Sequence, residues 1–337
     1  MNGVISKIRE IKDASAVDLT EDILSGQQPV VFRGLVSHWP FVQAGQKSDA
    51  DAQAYLRSRY NQAPVVVCHG GPEANGRPFY NDDLSGLNFE SRQASLDFFL
   101  DKIQEHSADE TPPLLYIAST TIDDCLPGFN DENTLPLAGK QPLASIWIGN
   151  KSTVAAHYDL ADNIACVTIG RREFTLFPPE QLENLYVGPI DLTPAGQPVS
   201  LVDFDAPDHE KHPKFRHALE AAQTATLEPG DAIFIPSMWW HHVKALNLFN
   251  VLVNYWWRQS PAFMGPPVNA LNLAILSVRD LPPAQREIWR GLFNHYVFEN
   301  TEEKVAHIPV ERRGILGPVT EMMARRLRAY LLNRLNR

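Results

Sequence analysis

The sequence predicts a mainly β protein, an antiparallel sandwich or barrel with helices before and after it. Hydrophobic residues make up 44% of the 337 residues and charged residues 21%, which is typical of a globular chain. From about residue 114 to 258, short runs of β-branched and aromatic residues follow one another, separated by Gly, Pro, Asn and Asp. Helical periodicity appears in the flanking segments instead. Such closely spaced strands indicate an antiparallel arrangement and not a βαβ sheet.

The region before residue 110 is predicted to mix helices and strands. Residues 16–24 predict a short helix, and Pro29 marks the start of a strand in QQPVVFRGLV. Residues 48–60 have helical spacing behind a Ser/Asp cap, and APVVVCHGG is a second short strand. Residues 93–105 have the single apolar stripe of an amphipathic helix.

The predicted β-core at residues 114–258 is followed by a helical region. Its runs are LLYIAST, ASIWIGN, TVAAHYD, NIACVTIG, EFTLFPP, ATLEPG, DAIFIP, HHVKAL and FNVLVNYWW. One long connection, 178–222, is rich in Pro and Asp and is expected to lie over the surface. VNALNLAILSVRD, PAQREIWRGLFNHYVFE and PVTEMMARRLRAYLLNRL then have helical spacing. We therefore expect a domain at 1–265 with a mixed α/β N-terminal part, and a helical region at 266–337.

Charge and cysteine content argue against several classes of protein. Lys and Arg (30) against Asp and Glu (40) leave a net charge of −10, which disfavours general nucleic-acid binding, although five arginines fall in the last twenty residues. Three cysteines are too few and too irregular for a disulfide scaffold and favour a reducing compartment. The sequence has no apolar run long enough to span a membrane and no signal-peptide core at its N-terminus. We expect a cytoplasmic protein without a membrane partner.

Histidines are the residues most informative about function. The sequence has no GxxxxGK[ST] motif, no GxGxxG after a strand and no G-x-S-x-G motif. His157 and Asp159 form an H-x-D triplet at the end of a predicted strand, where a period of two places both on one face. Taken alone, such a triplet favours an ordinary hydrogen-bonded His–Asp pair.

A second segment strengthens the case for a metal site. EPGDAIFIPSMWWHHVKAL delivers His241 and His242 to the same β-core. Because adjacent strand residues face opposite sides, only one of the two can join His157 and Asp159. Two imidazoles and one carboxylate form the facial triad of non-haem iron(II) oxygenases, which leaves coordination positions open. A packed or surface histidine remains the alternative for His242.

These motifs carry a family resemblance. The stretch from about 114 to 258 resembles the JmjC/cupin-like oxygenases that depend on iron(II) and 2-oxoglutarate, and its closest likeness is to the asparaginyl hydroxylase that inhibits the hypoxia-inducible factor. HYDLADN, IGRREFTLFPPEQLENLY, VDFDAPDHEKHPKF, GDAIFIPSMWWHHV and VNYWW follow the family's order and nearly its spacing, and QPVVFRGLVSHWP is similar to its opening strand. The resemblance implies a double-stranded β-helix, the jelly roll of cupins.

The resemblance also implies the metal ligands. His157, Asp159 and His241 match the family's iron ligands, because the first histidine of its WWHH segment ligates. It implies Fe(II) as the metal, 2-oxoglutarate as the cosubstrate and dioxygen as the oxidant.

The cosubstrate pocket is implied in the same way, with two departures. Residues that match the family's cosubstrate-binding positions are Tyr116, Asn163, Arg172, Asn254 and Trp256. Tyr116 would help to hold the distal carboxylate, the two asparagines would lie near the metal-chelating end, and Trp256 would form a wall. Arg172 replaces the lysine that pairs with the distal carboxylate in the closest relative, which preserves the charge and adds a planar fork. Val154 replaces a threonine, so one hydrogen bond to that carboxylate is absent.

The resemblance favours a hydroxylase of a protein or peptide side chain. An RNA base or a small molecule is an alternative substrate, N-demethylation is an alternative reaction, and a metal-binding cupin without turnover is an alternative of another class. We also expect a homodimer built from the C-terminal helices, as in the closest relative. The apolar residues at helical spacing there are Ile288, Trp289, Leu292, Phe293, Met322, Met323, Leu327, Leu331 and Leu335. These stripes could instead pack on the β-core of their own chain.

Overall fold

Fourteen strands form two sheets in the part of the chain that the computed structural model describes, residues 5–336. The strands are β1 Ser6–Lys7, β2 Arg9–Ile11, β3 Val30–Phe32, β4 Val65–Gly70, β5 Glu90–Ala94, β6 Leu114–Thr121, β7 Leu143–Gly149, β8 Ser152–His157, β9 Asp162–Ile169, β10 Arg172–Phe177, β11 Gln223–Leu227, β12 Ala232–Ile235, β13 Trp240–Ala245 and β14 Asn250–Trp257. The nine runs predicted for the β-core correspond to β6–β14. The mainly β fold class is therefore confirmed.

The two sheets differ in size and pack against each other. The smaller has the order β1-β11-β10-β13-β8, and the larger has the order β2-β3-β12-β9-β14-β7-β6-β4-β5. Only β1–β11 and β2–β3 pair in parallel among the described strands. One apolar cluster joins Phe174 and Leu176 of the smaller sheet to Ala165, Val167 and Ile233 of the larger one. This packing of two mainly antiparallel sheets has the jelly-roll architecture.

Helices cover the other face of the larger sheet. The helices before the long connection are Glu21–Leu24, Pro40–Lys47, Asp49–Arg59, Leu96–Glu105, Ile122–Cys125 and Phe129–Glu132. Two begin at serine caps, where the Ser48 and Ser95 hydroxyls accept hydrogen bonds from backbone N–H groups three residues later. Because β9 lies between this helical layer and the smaller sheet, all eight of its residues are buried.

Three details differ from the sequence predictions. The helix expected at 93–105 begins only at Leu96, because the preceding residues extend β5. The helix expected at 16–24 is split into a 3₁₀ turn and the short helix Glu21–Leu24. The connection 178–222 lies mostly at the surface, as expected, but it is more ordered than a loop. It contains the 3₁₀ turn Pro179–Glu183 and the helix Phe215–Ala221, and it buries an apolar cluster.

A second compact unit begins at Arg258, whereas the first ends at Trp257. Its helices are Val268–Ser277, Pro283–Phe293 with a π-helical extension Asn294–Phe298, Glu302–Val305 and Glu321–Leu335. They include the three helical segments predicted from the sequence. Val305 and Ala324 are the only buried hydrophobic residues in the described part of this unit. Among the described residues, no helix combines the length and apolarity needed to cross a membrane.

Candidate metal centre and adjoining pocket

Two strand ends bring one carboxylate and two imidazoles together. His157, the last residue of β8, lies directly opposite His241 of β13, and Asp159 follows two residues later in the chain. One ligand atom from each of the three side chains lies within 4.8 Å of the others. The His241 Nε2 and Asp159 Oδ2 atoms are 3.7 Å apart. A β-bulge begins beside this pair, so β8 carries one residue more than β13 up to the next aligned pair. The three side chains can therefore share one metal ion.

Backbone carbonyls hold both imidazoles in one orientation. The Nδ1 of His157 donates to the carbonyl of Ala155 at 2.9 Å, and the Nδ1 of His241 donates to the carbonyl of Trp239 at 3.0 Å. These bonds leave each Nε2 with a free lone pair, the arrangement usual for histidine ligands of metals. Burial, and then the neighbouring His241, lower the pKa of His157 to about 4. His157 is therefore neutral and able to ligate at pH 7.

His242 occupies the opposite face of β13. Its ring packs against Phe204 with 4.4 Å between the ring centroids, and neither ring nitrogen has a hydrogen-bond partner in the described part of the chain. Burial is the main reason that the pKa of His242 falls to about 3. His242 is thus a buried neutral histidine outside the cluster. Strand alternation allowed only one of His241 and His242 to join His157 and Asp159, and in the structure it is His241.

The cluster opens into a cavity of about 510 Å³ between the two sheets. All five residues that the sequence places around the cosubstrate line the same cavity, namely Tyr116, Asn163, Arg172, Asn254 and Trp256. Val154, which stands where the family resemblance implies a threonine, also lines it. The structure therefore brings every predicted site residue to one place.

Arg172 is a buried cation without an acidic partner. It is the first residue of β10 and is 3% exposed. No described carboxylate forms an ion pair with it, and its Nε has no hydrogen-bond acceptor. Burial lowers its pKa to about 10, while the neighbouring Tyr116 acts in the opposite direction. Arg172 is still protonated at pH 7, and a buried guanidinium of this kind calls for an anionic ligand.

Polar groups of strands β6, β9 and β14 complete the pocket. Tyr116 of β6 is buried, which raises the pKa of its hydroxyl although Arg172 opposes the effect, so Tyr116 is a neutral donor. The Asn254 Nδ2 of β14 donates to the Asn163 Oδ1 of β9 at 2.7 Å. The Oδ1 of Asn254 has no partner among the described residues. The asparagine pair and the Tyr116–Arg172 pair are thus separate polar groups in one apolar cavity.

Two parts of the pocket escaped the sequence analysis. Trp147 of β7 lies between Tyr116 and Trp256, at 5.8 Å from each by ring centroids. Trp147 points into the cavity because β7 pairs with β14, and a local sequence pattern does not reveal this pairing. Residues 193–197 of the long connection also line the cavity. No periodic pattern marks that segment, so the sequence carried no signal for it.

Comparisons with known proteins agree with the fold. A family model described as a cupin-like domain matches residues 16–263. Lysine-specific demethylase 8 of Xenopus tropicalis is 27% identical over 238 residues, which cover 68% of this chain and 48% of that protein. Lysine-specific demethylase JMJ31 of Arabidopsis thaliana is 34% identical over 133 residues, or 39% of this chain and 24% of that protein. The tRNA wybutosine-synthesizing protein 5 of Danio rerio is 36% identical over 106 residues, or 32% of this chain and 29% of that protein. The chain spans half the length of these relatives or less.

Proposed function

This chain belongs to the family of cupin-like domains and is similar to JmjC-type members of it. We propose that it is an iron(II)- and 2-oxoglutarate-dependent dioxygenase. One observation carries the proposal. A buried arginine without an acidic partner lies in the same cavity as two imidazoles and a carboxylate that can share one metal ion. A cupin that merely binds a metal has no need of this buried charge.

The metal would be held by His157, Asp159 and His241. Two neutral imidazoles and one carboxylate are the ligand set of non-haem iron(II) oxygenases, and the carbonyl bonds to Nδ1 fix both rings with Nε2 free. Iron and 2-oxoglutarate, when bound, would supply the oxidising chemistry. The role of the chain is to orient these groups and to surround the reacting atoms with an apolar wall.

Arg172 and Tyr116 would hold the distal carboxylate of 2-oxoglutarate. The guanidinium can donate two parallel hydrogen bonds to a carboxylate, and the neutral phenol can donate another. Asn163 and Asn254 would lie near the metal-binding end of the cosubstrate, and Trp256 would form part of the wall. Val154 contributes only an apolar surface, so Arg172 and Tyr116 would carry the recognition of this carboxylate.

The reaction proposed is hydroxylation, with a protein or peptide side chain as the first candidate substrate. The names of the relatives support two alternatives equally well. Lysine-specific demethylases suggest that hydroxylation of an N-methyl group would lead to demethylation, and the wybutosine-synthesizing proteins suggest an RNA base. A small-molecule substrate and a cupin without turnover are the remaining alternatives.

Anaerobic addition of Fe(II) and 2-oxoglutarate tests the proposal. We expect a visible metal-to-ligand charge-transfer band that requires both additions, followed by succinate formation when oxygen is admitted. The triple variant His157→Ala/Asp159→Ala/His241→Ala should show neither. A wild-type protein that binds iron but develops no band with 2-oxoglutarate would refute the cosubstrate, and the site would then be that of a metal-binding cupin.

We further propose that residues 1–265 form the catalytic part and that residues 266–337 form a homodimer interface. Ile288, Met322 and Leu335 are 66%, 62% and 54% exposed, so the other helices of this unit leave these members of the predicted apolar stripes uncovered. A helical unit that buries so little apolar surface gains little stability by itself, and a second copy would bury these faces. We also propose a cytoplasmic location, since all three cysteines are free and buried.

A further inference from the structure

The cavity holds very little charge beyond the groups already assigned. Asp159 and Arg172 are the only charged side chains among the described residues that line it. Asp159 belongs to the metal cluster, and Arg172 is matched to the distal carboxylate of the cosubstrate. Once both are engaged, the described lining offers no charged group to a substrate.

The outer wall of the cavity, defined here by residues of β4–β6, Phe89 and residues 193–197, has no charged side chain in its lining. Strands β4, β5 and β6 contribute Val66, Ser91 and Ser119, and Phe89 precedes β5. Residues 193–197 of the long connection, with the sequence TPAGQ, also belong to the lining. Val66 is 46% exposed, which places an apolar side chain where the cavity meets solvent. A substrate group that enters would therefore meet methyl groups, an aromatic ring, hydroxyls and one amide.

One feature of the cavity could attract a cation. Tyr116, Trp147 and Trp256 form a continuous aromatic group, and aromatic faces attract methylammonium groups. However, Arg172 lies close enough to Tyr116 for its charge to act on the phenol. The Arg172 guanidinium repels such a cation until the cosubstrate carboxylate pairs with it. Once the metal and the cosubstrate have engaged Asp159 and Arg172, the described lining offers the cation no free carboxylate. Burying the cation without a counter-ion is unfavourable.

We propose that the substrate group that reacts in this pocket is uncharged and predominantly apolar. This inference rests on the proposed function, and it favours oxidation of a neutral side chain or a neutral planar base over that of a methylated lysine or arginine. A charged group would lose its hydration on entering, whereas an apolar group of the same shape would gain from burial.

Two probes of equal shape separate these possibilities. One is N-acetyl trimethyllysine amide, and the other is its carbon analogue, in which a tert-butyl group replaces the trimethylammonium group. Dissociation constants would be measured by ligand-observed NMR, both with metal-free protein and with protein loaded anaerobically with Fe(II) and 2-oxoglutarate. We expect the neutral probe to bind at least tenfold more tightly to the loaded protein, where Asp159 and Arg172 are both engaged. In the metal-free protein the free Asp159 carboxylate can pair with the cation, so the preference for the neutral probe should be smaller. Equal or tighter binding of the cation to the loaded protein, or no binding of the neutral probe, would overturn the inference.

A variant at the outer wall provides the matched test. Ser119 is exposed on β6, so Ser119→Asp adds a carboxylate to the lining and should move the preference towards the cationic probe by roughly tenfold. Ser119→Asn has nearly the same size without charge and should keep the wild-type preference. If Ser119→Asp leaves the preference unchanged, charge in the lining does not govern selection, and the inference is wrong. Failure of the iron-loaded protein to bind 2-oxoglutarate, read from the absence of the charge-transfer band, would instead refute the proposed function.

Discussion

Replacing Arg172 by alanine should weaken 2-oxoglutarate binding strongly and leave metal binding nearly unchanged. The guanidinium is 3% exposed and its pKa is lowered only to about 10, so it enters binding as a buried full charge. A carboxylate 4 Å away would be attracted by about 4 kcal/mol at an effective dielectric constant of about 20. Desolvation of the carboxylate reduces this to about 2–4 kcal/mol, the usual cost of breaking such a pair. The dissociation constant should therefore rise roughly 30- to 1,000-fold.

The assay is an anaerobic titration of iron-loaded protein with 2-oxoglutarate, followed by calorimetry or by the charge-transfer band. Arg171→Ala is the matched control, because Arg171 is the neighbouring residue and is exposed, and it should bind like wild type. Arg172→Lys should recover part of the affinity, since the charge survives but the planar fork does not. Arg172→Ala breaks no described ion pair, so the melting temperature of the ligand-free protein should not fall on that account. Unchanged affinity in Arg172→Ala would refute the reasoning and point to a different cosubstrate.

Three further predictions follow from the same structure. His241→Ala should abolish Fe(II) binding in anaerobic calorimetry, whereas His242→Ala should retain it; the opposite result would mean that the ligand assignment is wrong. A chain ending at residue 265 should be monomeric in light scattering and the full chain dimeric, and a truncated chain that stays dimeric would exclude the C-terminal interface. The free energy of unfolding of the metal-free protein should fall as the pH drops below about 6.5, because the unfolded state then protonates His242 whereas the folded state does so only near pH 3. This residue changes the free energy of unfolding by at most about 1.4 kcal/mol per pH unit. In urea titrations, the free energy of unfolding of His242→Phe should therefore depend less steeply on pH than that of the wild type. An identical slope would contradict the burial argument.

Local patterns in the sequence determined most of the elements of this protein. Nine short runs predicted nine strands, because β-branched and aromatic residues at a period of two, bounded by turn residues, describe a strand wherever it pairs. The same period placed His157 and Asp159 on one face and allowed only one of His241 and His242 to join them. The family resemblance then assigned His241 and the five cosubstrate positions. The short strands β1, β2 and β5 escaped prediction, since two to five residues carry too little pattern.

Only the tertiary structure decided which faces meet. Arg172 looks like a turn residue in the sequence, and its burial arises from the pairing of β10 between β11 and β13. Trp147 enters the pocket because β7 pairs with β6 and β14, and residues 193–197 reach it because the long connection folds back over the smaller sheet. These are contacts between residues far apart in the chain. A sequence pattern records which side of a strand is apolar, but the partner of that side depends on the packing of all the strands together.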